Sequence, residues 1–302
     1  MYPKLRLHKW QDVTPVADAW GTPVGDLIPY FKPFWSFIMK SLSSLLITSA
    51  LIAVSSTASA ALVAGDIALV GFQASGVTTD SFSFASLVNV DAGTVLYFTD
   101  NGFTTGTGFR GVSATDNDGN EGLVKYTVGA NGLAAGQVVS SLSTNTANGA
   151  WTLSGPIYST GSGLYAPLSF SASGEQFTVF QSSNAQPMLS GYTALYNFDN
   201  TGAYEAATTS STGQLPPGLV GGTSAILLAS PTGANFANFN FGAFSGAADR
   251  DTWLARMENS ANWTTSSETT NTADGSFSVT AVPAPGAVAL LGLAGLVARR
   301  RR

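Results

Sequence analysis

The chain has 302 residues and a formal charge of −5, with 13 Lys and Arg against 18 Asp and Glu, no Cys and a single His. Charged residues are 10% of the total, well below the usual value of about 25%, while the hydrophobic fraction of 44% is ordinary. Such a chain can bury a core, which excludes general disorder, and the lack of Cys excludes thiol catalysis and Cys-ligated zinc.

Residues 1–38 hold three of the five lysines and three of the six tryptophans, a composition unlike the rest. They read as an upstream extension ahead of a true start at Met39, the alternative being a genuine N-terminal extension. Met39 and Lys40 then lead into an apolar run from Leu45 to Val54, followed by small residues at Ala58 and Ala60. A cation, a short apolar run and a small-x-small step make residues 39–60 a secretory signal peptide, with a buried helix as the alternative. Cleavage after Ala60 makes Ala61 the mature N-terminus. The only His, His8, lies upstream of that point.

Residues 61–281 contain four cations, Arg110, Lys125, Arg250 and Arg256, against fifteen acids, a net charge of −11. A region this acidic repels nucleic acid and anionic lipid. With neither His nor Cys it holds no Ser-His-Asp triad, thiol protease site or ordinary zinc site. Short apolar or alternating runs, rich in β-branched and aromatic residues, predict strands: DIALVGF from Asp66, SFSFASLV from Ser81, TVLYFTD from Thr94, LVKYTV from Leu123, QFTVFQ from Gln176, YTALYNF from Tyr192, SAILLA from Ser224, NFANFNFG from Asn235 and SFSVTA from Ser276. Asn101-Gly102, Asp118-Gly119, Asn131-Gly132 and Asp274-Gly275 are turn signals between them. One stretch, DRDTWLARMENSANW, predicts a short helix capped by Asp249 or Asp251, with Leu254 and Met257 facing the core. Many short strands with such turns predict a sandwich of two antiparallel sheets.

Within this region Thr99, Asp100, Asn101, Gly102 and Phe103, with Glu121 and Gly122 further on, follow a Gly-Asp-Ile strand. This pattern resembles a domain of bacterial surface proteins loosely similar to lamin-tail-like sandwiches. The resemblance extends over most of residues 62–265. It implies a sandwich fold and no catalysis.

Three constellations carry candidate chemistry. TDNDGNEG, from Thr115, packs Asp116, Asp118 and Glu121 among amide oxygens, a density that suits Ca²⁺, although the spacing is not an EF-hand and a solvated acidic turn is the plainer reading. Paired carboxylates at about 5–10 Å serve glycoside hydrolysis, but no spacing among the fifteen acids singles out a pair. Exposed aromatics stack on sugars. Of the tryptophans in this region, Trp253 sits at helical spacing with Met257 and reads as core, and Trp151 reads as core or surface, leaving Trp263.

At the C-terminus, Pro283 and Pro285 block helix continuation from upstream. Gly286 to Ala298 is uncharged and spans roughly 20 Å as a helix, short of a ~30 Å hydrocarbon core unless the flanks reach the interfaces. Arg299, Arg300, Arg301 and Arg302 close the chain and stay cytoplasmic by the positive-inside rule. Val282, Pro283, Ala284 and Pro285, an apolar helix and a terminal basic cluster together resemble the PEP-CTERM sorting signal, with Ala284 where Glu is usual. The resemblance implies a Gram-negative host making extracellular polysaccharide, recognition by an exosortase-like membrane protease, and transient residence in the inner membrane.

The sequence therefore predicts an all-β, antiparallel β-sandwich with one short helix, flanked by an N-terminal signal helix and a C-terminal transmembrane helix. Its organisation is residues 1–38, the signal at 39–60, the exported domain at 61–281 and the tail at 282–302. The expected role is an exported, surface-sorted, non-enzymatic protein of the cell envelope or polysaccharide matrix. The alternative is a secreted carbohydrate-binding or carbohydrate-active protein. Peptide mass spectrometry of the exported protein should find Ala61 at its N-terminus; peptides from between Tyr2 and Trp35 in that material would refute both the cleavage and the Met39 start.

Overall fold

Aromatic side chains on facing strands set the architecture. The computed structural model describes residues 61–74, 80–110, 122–153, 168–171, 174–205, 212–228, 236–266 and 274–280. All belong to the compact unit Ser59–Arg302. In chain order the strands are β1 (Ile67–Gln73), β2 (Ser81–Ser86), β3 (Val95–Thr99), β4 (Phe103–Thr104), β5 (Gly108–Phe109), β6 (Leu123–Val128) and β7 (Gln137–Ser140). Then follow β8 (Gly149–Leu153), β9 (Gln176–Ser182), β10 (Tyr192–Asp199), β11 (Ala225–Leu227), β12 (Phe236–Phe239), β13 (Trp263–Ser266) and β14 (Gly275–Ser276). The helix, α1, is Arg250–Met257.

Among the described residues the strands form a first sheet ordered β13-β12-β1-β2-β7-β14, a second ordered β11-β10-β9-β3-β6-β8, and a small β4-β5 hairpin. The all-β expectation holds. Pairing is antiparallel except between β10 and β11, where Asn197, Phe198 and Asp199 run parallel to Ala225, Ile226 and Leu227. This departs from a purely antiparallel sandwich: β11 arrives by a long connection rather than a hairpin, so its direction is free.

Alternation in β2 sends Phe82 and Phe84 to one face. Phe82 meets Phe98 of β3 at 5.0 Å and Phe177 of β9 at 4.7 Å between ring centroids, while Phe84 meets Phe98 at 5.1 Å and Tyr126 of β6 at 5.3 Å. Phe72 of β1 stacks on Phe198 of β10 at 5.0 Å. The two sheets thus pack face to face through aromatic rings, each pair adding about 0.5–1.5 kcal/mol beyond its buried area. Trp151 of β8 covers the edge of this layer and donates Nε1–H to the Ser140 carbonyl of β7 at 3.1 Å, tying one sheet to the other.

Helix α1 forms as its sequence predicts. Asp249 is the N-cap, its carboxylate accepting from the Thr252 amide at 2.7 Å, and Asp251 and Arg256 complement the helix dipole at either end. Trp253, Leu254 and Met257 are buried. Trp253 donates to the Ser278 carbonyl and Trp263 to the Met257 carbonyl, and the Arg256 guanidinium stacks over Trp253 and Phe244 at 4.5 and 4.7 Å. Arg250 clamps the start of the domain, donating to Asp66 Oδ1 and the Ala64 carbonyl at 2.7 Å each. Between them Gly65 adopts φ +82°, and a Cβ there would lie 2.4 Å from Leu254 Cδ2.

Among the described residues no helix is long and apolar enough to cross a membrane. The expected signal and tail helices lie outside them. The core predicts its own sensitivity: Phe82→Ala should destabilise the fold by about 3–5 kcal/mol, whereas Leu142→Ala, at a 40% exposed position, should stay within about 0.5 kcal/mol, both read from denaturant unfolding.

Candidate functional site

Around β9 and β10 the second sheet is covered on both faces, and the outer face there is polar as well as buried. Register places Thr99 beside Thr178, Thr178 beside Asn197, and Gln176 beside Asp199. All five are 0% exposed. Next to this polar layer, Phe103, Phe109, Leu123, Phe180 and Met188 form a second small core beneath the β4-β5 hairpin.

The Thr99–Phe103 motif is the organising knot of this layer. Thr99 Oγ1 donates to the Gly122 carbonyl at 2.7 Å and accepts from Asn101 Nδ2 at 2.8 Å. Asn101 Nδ2 also donates to the Gly122 carbonyl at 3.1 Å. Asp100 Oδ1 accepts from the Gly122 amide at 2.6 Å. Both backbone groups of Gly122 are therefore held by three consecutive side chains. Asn101-Gly102 does not make the turn that sequence suggests: Asn101 is a buried tie, and the hairpin turn falls later, where the Thr107 amide donates to the Thr104 carbonyl. Asn131-Gly132 does turn, with Gly132 at φ +71° and its amide donating to the Gly129 carbonyl. Asp274 accepts from the Ser140 amide and Ser143 hydroxyl, fastening β14 to β7.

Three carboxylates grip one short segment. The amides of Ser169, Phe170 and Ser171 donate in succession to Asp100 Oδ2 at 2.7 Å, Asp80 Oδ2 at 2.8 Å and Glu175 Oε2 at 2.9 Å. This seats Phe170 against Phe72 at 4.8 Å and Phe177 at 4.9 Å, closing one end of the core. Burial pushes the Asp100 carboxyl up to about 7, with the Asp80 charge adding to it and the Ser169 and Gly122 amides opposing it.

Several acidic and phenolic groups near the ends of β10 and α1 are also desolvated. Asp199 Oδ1 accepts from the Thr201 amide and hydroxyl at 2.8 and 2.7 Å, but Oδ2 has no partner. The hydroxyl of Tyr204 also lacks a partner, while the Glu258 carboxylate lies against the Tyr196 hydroxyl and the Ala225 amide. Burial lifts Asp199 to about 6 and Glu258 to about 7, and raises both phenols.

Of the residues that sequence singles out, Ala61 is described and exposed. Ala58, Ala60, Asp116, Asp118, Glu121, Val282–Pro285 and Arg299–Arg302 lie outside the described residues. Trp253 and Trp263 are buried core residues, and half-buried Trp151 packs against Phe82 and Tyr126. None of the three forms an open stacking platform. Among the described residues no three Asp, Glu or His side chains gather as metal ligands by themselves. The polar layer escapes a sequence reading, because Gln176, Thr178, Asn197 and Asp199 alternate with apolar residues just as a solvated face does.

The chain matches no protein-family model, no curated protein and no solved structure.

The titrations have a definite direction. Asp100, Asp199 and Glu258 each hold a proton more tightly folded than unfolded, so what they contribute to stability is complete below about pH 4 and is lost as pH rises through 6–7. In chelator, Glu258→Gln should flatten the fall in melting temperature between pH 5 and pH 8. Asp100→Asn should instead destabilise at both pH values by about 1–3 kcal/mol, since its amide group would confront the Gly122 or Ser169 donor.

Proposed function

We propose that this protein is exported through a cleavable signal, sorted by its C-terminal tail, and acts as a non-enzymatic β-sandwich of the cell envelope or extracellular polysaccharide matrix in a Gram-negative bacterium. The observation that carries this reading is the order of features at the C-terminus: Val282-Pro283-Ala284-Pro285, thirteen uncharged residues, then Arg299–Arg302. Moving each guanidinium through hydrocarbon costs about 2.5–3.5 kcal/mol on insertion scales, so the cluster halts translocation. The two prolines keep the preceding segment extended and open to an exosortase-like protease.

Composition supports the same reading. Residues 61–281 carry neither His nor Cys and a net charge of −11. This composition favours a binding or structural role in a hydrated matrix over acid-base chemistry centred on imidazole.

Replacing Arg299–Arg302 with Ser should misplace the protein in cell fractionation, while Ala284→Glu should leave sorting intact. Intact mass of the wild-type surface form should lack residues 286–302; a mass that retains them in cells with a working exosortase would make the tail an anchor only.

A further inference from the structure

We infer that the Asn131-Gly132 step is a site of spontaneous covalent modification, at which the folded protein converts its own asparagine into an aspartyl or isoaspartyl residue. The inference does not rest on the sorting reading.

The chain holds three Asn-Gly steps, Asn101-Gly102, Asn131-Gly132 and Asn148-Gly149. Glycine after asparagine is open to this chemistry because no Cβ shields the glycine nitrogen. The fold treats the three steps differently. Asn101 is 0% exposed, and its Nδ2 donates to Thr99 Oγ1 at 2.8 Å and to the Gly122 carbonyl at 3.1 Å. Asn148 is half-buried, and its carbonyl accepts from the Gly129 amide at 2.8 Å. Gly149 is buried against the Tyr126 ring, whose Cζ lies 2.3 Å from where a Cβ would stand. Asn131 is exposed, in the turn between β6 and β7. The bond closing that turn runs from the Gly132 amide to the Gly129 carbonyl at 3.0 Å. Surface turns of this kind open locally at little cost, which frees the Gly132 nitrogen without unfolding the domain.

Glycine is also required here. Gly132 has φ +71°, and a Cβ on it would lie 2.7 Å from the Val90 carbonyl oxygen. The close approach that seats this turn on residues 90–92 therefore keeps the labile step in the chain. In the reaction the Gly132 nitrogen loses its proton to solvent and attacks Asn131 Cγ. The new N–Cγ bond forms, the Cγ–Nδ2 bond breaks, and Nδ2 takes a proton from solvent and leaves as ammonia. Water then opens the cyclic imide. Attack at the side-chain carbonyl gives aspartate, and attack at the main-chain carbonyl gives isoaspartate. The sum is amide plus water to acid plus ammonia, with no oxidation or reduction. Either product adds a negative charge to a turn packed on residues 90–92, where Asp91 is exposed. Isoaspartate also adds a methylene to the main chain just before Leu133, which exchanges both backbone hydrogen bonds with Val90 at 2.8 Å each. Modification thus loosens that bridge.

The test ages the full chain at pH 8 beside a sample kept unfolded in guanidinium, and follows each step by peptide mass spectrometry that separates aspartyl from isoaspartyl forms. Unfolded, the three steps should convert at rates within a few-fold of one another. Folded, Asn131 should convert at least tenfold faster than Asn101 and Asn148, and faster at pH 8 than at pH 6. The aged parent should melt lower than the fresh protein, while Asn131→Gln should keep its melting temperature on ageing. An Asn131 that stays intact in the folded sample while the unfolded sample converts would overturn the site. So would Asn101 or Asn148 converting first, or equal rates at all three folded steps, since equal rates mean that conversion passes through global unfolding.

Discussion

The grip on Gly122 is the constraint on which the outer half of this fold depends. Thr99, Asp100 and Asn101 follow one another along the chain, and among them they hold both the amide and the carbonyl of one residue on the approach to β6. Asp100 then spends its second oxygen on Ser169, so the same side chain locates the segment that carries Phe170 into the core. A lost hydrogen bond here would leave buried donors unpaired, which costs more than the bond itself contributes. The hairpin, the small second core and the closing phenylalanine are consequently positioned by polar side chains, although apolar contacts supply most of their stability.

Acidic side chains do unusual duty in this protein. With only four cations in residues 61–281, most carboxylates cannot find an ion-pair partner. Asp80, Asp100, Glu175, Asp249 and Asp274 accept from backbone amides. Amides are weaker partners than guanidinium groups but are fixed in direction, so each acid locks a particular backbone path. Arg250 does pair with acids, with Asp66 at 2.7 Å and with Asp251 at 2.6 Å.

The inner layer was legible because alternation there is unambiguous. LVKYTV matches β6 at both ends, and Phe82 and Phe84 announce a buried face two residues apart. Short strands were harder to see. Gly149–Leu153 offers only Trp151 and Leu153 as large residues, and Trp263–Ser266 follows directly on the helical segment, so β8 and β13 are defined by their partners rather than by pattern. SFSVTA reads as a full strand, yet only Gly275–Ser276 pairs with β7; Phe277 turns aside to pack on Trp253 at 4.5 Å. The outer polar layer was illegible for a physical reason. Thr178 and Asn197 look like solvated positions, and only tertiary structure puts the hairpin and the Gly213 loop over that face, where the Gln176 amide reaches the Gly213 carbonyl.

The clamp between Arg250 and Asp66 joins residues 184 positions apart in the chain. The first strand of the domain is thus fastened by almost the last element to be synthesised, and β1 likewise waits for β12 to become its neighbour. Contacts this distant in sequence are formed late, after most of the loop-closure entropy has been met. Other ties at this corner, the Gly65 amide to the Leu195 carbonyl and the Leu87 amide to the Asp66 carbonyl, do not need α1, so removing Arg250 would loosen the start of β1 without freeing it.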